Sequence, residues 1–82
     1  SDPAAAETVV NAIVAEHGPG VWRTVYRLLA HHADAHDCYQ DTFLAAFRGP
    51  PGVRDWGAYL TTLATRRAVD RLRQRGRLRA LT

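Results

Sequence analysis

The sequence predicts an all-α fold, a compact four-helix bundle, on three observations. Apolar residues recur at a helical period of about 3.6 residues in segment after segment, and nowhere do they alternate with strand period over a useful length. Candidate caps and breakers fall between those segments and leave only short connections, which place consecutive helices side by side. The apolar share of 46% can fill one small core and is too high for a disordered chain.

The elements follow in order. Asp2-Pro3 starts a first helix, a capping carboxylate followed by proline at the first helical position. Ala6, Val9, Val10, Ile13 and Val14 make its apolar stripe, and Gly18 ends it. Pro19 or Gly20 opens a second helix that turns Trp22, Val25, Tyr26, Leu28 and Leu29 to the core. His31 to Ala33 form a tight connection. Asp34 caps a third helix running to about Arg48, with Asp37 favourably placed in its first turn. Gly49-Pro50-Pro51-Gly52 is a loop. Asp55 caps a fourth helix from Trp56 to about Gly76, after which residues 76–82 are expected to begin an interdomain linker. Residues 1–82 are otherwise expected to form a single domain, without internal repeats.

Composition narrows the function classes. No apolar run approaches the roughly 18 residues that a membrane span needs. Ser1-Asp2-Pro3 lacks the basic opening of a signal peptide, and the lone Cys38 supports no disulfide framework, so a cytoplasmic location is expected. All 11 basic residues are arginine, the side chain suited to forked phosphate contacts. Their distribution is lopsided: residues 1–47 set two arginines against six carboxylates, and residues 48–82 set nine against two. Such a split suggests a polyanion at one end and a different partner at the other.

Two helix faces are not explained by core packing. On the third helix, Ala35, Cys38, Tyr39, Thr42 and Ala46 gather on the core side, with Phe43 at its margin. Asp37, Gln40, Asp41, Leu44 and Arg48 gather opposite, with Phe47 at their edge. An acidic stripe carrying an apolar residue fits an arginine-bearing protein partner; the alternative is a solvated face with one stray leucine. On the fourth helix, Gly57, Leu60, Ala64, Ala68 and Leu72 form a slowly drifting core stripe, edged by Leu63 and Trp56. Tyr59, Thr62, Arg66, Val69 and Arg73 lie away from it. Arginines engage phosphates, hydroxyls reach phosphates or base edges, and an aromatic ring stacks on an unpaired base. The alternative there is an exposed face on which Arg66 pairs with Asp70, four residues on.

Other chemistry is weakly supported. His32 and His36 are four apart with acids nearby, but a helix break at Asp34 separates them, so no metal is expected. Cys38 falls on the apolar side, as a small core residue. No catalytic pairing and no phosphate-binding glycine loop stands out, so neither an enzyme nor a cofactor is expected.

The segment from Asp34 to Leu44 resembles the polymerase-binding segment of sigma-70 family proteins, whose extracytoplasmic-function branch typically shows Asp-Ala-Glu-Asp-x-x-Gln-Glu-x-Phe-Leu there. Ala58-Tyr59-Leu60 through Arg73 is similar to that branch's promoter-reading helix, usually Trp-Leu-x-x-Ile-Ala-x-Asn-x-Ala-x-Asp-x-x-Arg. Two motifs in the right order around a loop identify the chain as resembling region 2 of such a sigma factor, over residues from about 20 to 77.

The resemblance implies docking on the β′ clamp helices of RNA polymerase through Asp37, Gln40 and Asp41, with Leu44 and Phe47 adjoining. It implies recognition of the promoter −10 element through residues 49–55, including Arg54, and through Trp56, Tyr59, Thr62, Arg66, Arg67 and Arg73. In that picture the loop pockets a base flipped from the stack. An anti-sigma factor is a further partner of the family. Arg66 stands where Asn is usual, Tyr59 where Trp is usual and His36 where Glu is usual, and the loop is short and proline-rich. The family's −35-reading domain has no room in 82 residues, so an excised domain is expected. A helical adaptor that binds only protein is the competing reading.

Overall fold

The computed structural model describes residues 3–81, which form three α-helices: α1 (Pro3–Leu29), α2 (His32–Arg48) and α3 (Trp56–Leu81). The expected cap Asp2 lies outside the described residues. The all-helical class holds, but the fourfold count is corrected, because the expected first and second helices are one. Pro19 in a helix interior and its flanking glycines cost several kcal/mol in isolation, about 3 for the proline alone. Packing on both sides of the weak point offsets that cost. Gly18 is buried, and a Cβ there would lie 2.8 Å from the Tyr39 hydroxyl, so this glycine admits α2 rather than ending a helix. The His17 ring packs over Gly57 of α3 just before the proline, and Val21, Val25 and Leu29 are buried just after it.

The turn between α1 and α2 is two residues long, and its cap is not the expected one. His31 adopts an extended backbone and its Nδ1 accepts from the Asp34 N–H at 3.2 Å, so Asp34 sits inside the first turn of α2. Ala30 closes α1 with φ +49°, a left-handed conformation that costs a residue with a Cβ about 1–2 kcal/mol. Ala30→Gly is therefore expected to stabilise the fold by about 0.5–1 kcal/mol, after its larger unfolded-state entropy is counted. A thermal melt should show the midpoint rise by roughly 2–8 °C.

After Arg48, the Gly49-Pro50-Pro51-Gly52 loop forms as expected, and the Asp55 carboxylate accepts from the Ala58 N–H at 3.0 Å to cap α3. The helix does not stop near Gly76. It continues through Leu81, because glycine costs only about 1 kcal/mol in a helix and the arginines around it are good helix formers.

α1 and α3 run parallel and pack directly on each other, with His17 beside Gly57 and the Leu29 carbonyl beside Arg75, while α2 runs antiparallel to both and packs against each. The core is Val21, Val25 and Leu29 from α1, Ala35, Cys38, Phe43 and Ala46 from α2, and Leu60, Ala64 and Ala68 from α3. Thr42 is its buried polar member, and its hydroxyl donates to the Cys38 carbonyl at 2.8 Å. Four of the ten apolar members are alanines, which let the helix axes approach closely. The long dimension is 51 Å, and residues 3–9 of α1 and 76–81 of α3, at its two ends, are exposed. Ala6 and Val9, expected in the core, are thus exposed, as is Tyr26. Leu72 is 37% exposed rather than buried. A spacing of four residues advances about 40° around a helix, so three such steps from Leu60 rotate Leu72 out of the interface.

Candidate functional site

On α2 the outward stripe forms as expected. Asp37, Gln40, Asp41 and Arg48 are exposed, and Leu44 and Phe47 join them at 50% and 36% exposure. These are large apolar surfaces to leave in water beside carboxylates. Asp37 is not free, however: the Arg71 guanidinium reaches it at 3.0 Å from α3. Asp41 makes no ion pair among the described residues, although Arg67, Asp70, Arg71 and Gln74 line a narrow cleft beside it.

On α3, Thr62, Arg66 and Arg73 are exposed and Tyr59 and Trp56 half-buried, while Arg54 is exposed on the loop. The Tyr59 hydroxyl sits over Gly49, where a Cβ would lie 2.6 Å away, so the loop and the helix are closely joined at this point. The Thr62 hydroxyl donates to the Ala58 carbonyl at 3.0 Å within its own helix. The Arg66–Asp70 pair of the alternative reading is absent among the described residues. Asp70 instead lies 3.7 Å from Arg73, both side chains being about two-thirds exposed, and Arg66 has no ion pair among the described residues. Arg67 lies apart from Tyr59, Thr62 and Arg66, on the α2 side of the helix.

The two faces meet through stacked rings. Phe43 stacks on Phe47 (centroids 6.0 Å apart), Phe47 lies against Trp56 (5.7 Å), and Trp56 meets Tyr59 edge-on (5.9 Å). The chain of rings continues from Phe43 through Tyr39 to Trp22. Aromatic pairs of this kind contribute about 0.5–1.5 kcal/mol each beyond area burial, so the α2 face and the start of α3 are held in fixed relation.

Sequence reasoning missed the charged clasp behind these faces. Arg75 donates from Nε to Asp34 Oδ2 at 2.9 Å and from Nη1 to the Leu29 carbonyl at 2.9 Å, and its Nη2 also bonds Asp34. Arg71 spans Asp34 and Asp37. One guanidinium thus satisfies the end of α1 and the start of α2 together. A signal was present: positions 71 and 75 continue the inward stripe of Leu60, Ala64 and Ala68 where Leu72 leaves it.

The hydrogen bond from Arg75 holds the Asp34 carboxyl below its ordinary range, with the charges of Arg75 and Arg71 assisting against partial burial. A folded-state value below the unfolded one gives stability that is complete above the unfolded value, near 3.9, and lost as pH falls through the folded value. Asp34→Asn should therefore lower the melting temperature at neutral pH and flatten its decline below about pH 5. Equal acid sensitivity in both proteins would exclude this role.

The weaker candidates resolve as follows. Burial pushes the Cys38 thiol up, with the nearby Asp41 charge adding to it, which disfavours a thiolate. The helix break expected between His32 and His36 is absent, since both belong to α2, and the His32 ring meets Trp22 edge-on at 5.3 Å. No cluster of three or more metal-ligating side chains occurs among the described residues. No helix among them is long and apolar enough to cross a membrane.

The three packed helices thus hold an acidic, apolar-studded face beside an arginine and aromatic face. Residues 13–78 match the family described as Sigma-70 region 2, and the chain belongs to that family. Within it, the chain is similar to the ECF RNA polymerase sigma factor SigE of Mycolicibacterium smegmatis. The two are 35% identical over 71 residues, 82% of this chain and 27% of that protein. The chain thus spans about a quarter of the length of that relative. No solved structure matches it.

Proposed function

We propose that this chain is the promoter-recognition domain of an alternative sigma factor, a transcription initiation component rather than an enzyme. Asp37, Gln40, Asp41, Leu44 and Phe47 dock on the β′ clamp helices of RNA polymerase. Arg54, Trp56, Tyr59, Thr62, Arg66 and Arg73 take the promoter −10 element, with Arg67 between the two surfaces. The observation that carries this reading is the join: Phe47 of the first surface rests on Trp56 of the second. Docking on polymerase would therefore fix where the loop and α3 meet DNA. Gly49 to Asp55 would receive a base flipped from the stack, beside Tyr59. An anti-sigma factor would act by covering the α2 face, and a −35-reading domain would lie elsewhere in the protein.

Such a domain alone has one short DNA contact and no second module to add avidity. It should bind single-stranded non-template −10 DNA weakly, with steep salt dependence, and bind duplex less well because opening must be paid from the same contacts. Tight, salt-independent duplex binding would contradict the mechanism. Arg66 is assigned to a phosphate, as an exposed guanidinium without an internal partner. Arg66→Ala should weaken binding about equally for all −10 variants and lower the salt slope by about 0.7. A loss of about 1–3 kcal/mol confined to one base would mark a base fork instead. Unchanged affinity and slope would remove α3 from the DNA.

A further inference from the structure

The acidic half of the chain holds two arginines, and the fold brings both into one groove. Arg23 and Arg27 are one turn apart on α1, and with Trp22 and Tyr26 they line an open groove whose α3 wall is Thr61. No carboxylate lines it, and neither arginine makes an ion pair among the described residues. Gly20 lines the end of the groove beside the Arg23 guanidinium. Tyr26 is 45% exposed and lies against Trp22, ring centroids 5.7 Å apart, so it offers a supported aromatic surface to solvent. The contrast with the α2–α3 cleft is plain, since there Arg67 and Arg71 line the walls together with Asp41 and Asp70.

Core packing accounts for Trp22 but not for the two arginines or the exposed Tyr26 ring. A pair of cations with no internal anion, flanking a half-exposed ring, is the chemistry that tracks a single-stranded nucleic acid: guanidinium on phosphate and ring on base. Location supports the same occupant. Thr61 lies about 100° around α3 from Thr62, so the groove runs along the α1 flank of α3, next to the side that carries Arg66 and Arg73.

We propose that the α1–α3 groove is a second single-stranded DNA site, in which Arg23 and Arg27 bind consecutive phosphates and Tyr26 stacks on a base. It extends the strand held on α3 around the edge of the bundle onto α1. The proposal rests on the reading of α3 as a DNA face, and the test separates the two. Fluorescence anisotropy with labelled oligothymidylates of roughly 4 to 16 nucleotides, at several salt concentrations, measures how much strand each face holds.

The R23Q/R27Q double variant keeps both exposed stems, so its helicity and melting temperature should match the parent. On the longest strands it should lose affinity several-fold at low salt, with the salt slope reduced by about 1.4, at roughly 0.7 per phosphate. On the shortest strands the loss should vanish. Y26A should lower long-strand affinity with the slope unchanged. If the double variant equals the parent at every length while Arg66→Ala loses affinity, the groove is overturned and the α3 face stands. If the double variant loses affinity and Arg66→Ala does not, the groove is the DNA site and the α3 face falls. If neither loses affinity, both fall.

Discussion

Leu60→Ala is expected to leave most of this domain unfolded at 37 °C. Leu60 is fully buried at the centre of the bundle, where α3 faces both other helices. Truncating such a side chain costs about 2–5 kcal/mol, from lost transfer energy and from the cavity left behind. A core of this size supplies only about 3–5 kcal/mol of net stability, so the cost is comparable to the whole. The neighbours cannot readily collapse into the gap, because several are alanines with no side chain to extend. Circular dichroism and urea titration should show the loss directly. Leu44→Ala is the control: half-exposed on α2, it should change stability by no more than about 0.5 kcal/mol. Equal effects at the two positions would mean that α3 does not pack as described.

The second large effect is on binding. Asp41→Arg is expected to reduce affinity for the β′ clamp helices at least tenfold while leaving the melting temperature nearly unchanged. Losing one partner of a desolvated interface pair costs about 2–5 kcal/mol, less at a rim, and reversal adds repulsion. Asp41 is the cleaner probe because it carries no ion pair among the described residues and only shares an open cleft with Arg67 and Arg71, whereas reversing Asp37 would break a direct pair and set two cations together at Arg71. An exposed pair of that kind contributes about 0–1 kcal/mol, so Asp37→Arg should show a small stability loss as well as a binding loss. Undiminished clamp binding by a folded Asp37→Arg/Asp41→Arg double variant would remove the α2 face from the polymerase interface.

The third expected helix was legible almost residue by residue, because its two sides differ in kind. Its core side carries small and aromatic residues with no charge, its outer side the carboxylates, and both sides appear in α2 with the anticipated burial. The loop and the Asp55 cap were legible for the same local reason, since Pro-Pro between glycines has few conformations open to it. The motifs around Asp34–Leu44 and Ala58–Arg73 pointed to the family that residues 13–78 then matched. Errors came where a local signal met a tertiary demand. Gly18-Pro19-Gly20 is a helix end by propensity, yet the Tyr39 hydroxyl needs Gly18 without a Cβ inside a continuous helix. Asp34 is a good cap by type, yet Arg75 and Arg71 claim its carboxylate and His31 caps instead.

By itself, then, the sequence determined the helical class, the loop before α3, the exposed side of α2 and the family, since each rests on residues near one another in the chain; on α3 it missed that Tyr59 packs against the core. Tertiary structure alone decided the number of helices, the pairing of arginines with carboxylates and the join of the faces through Phe47 and Trp56. It alone decided, too, that Arg23 and Arg27 line one groove with Thr61 of α3. These depend on which distant side chains arrive at one place, and burial there outweighs local preferences of about a kilocalorie per residue.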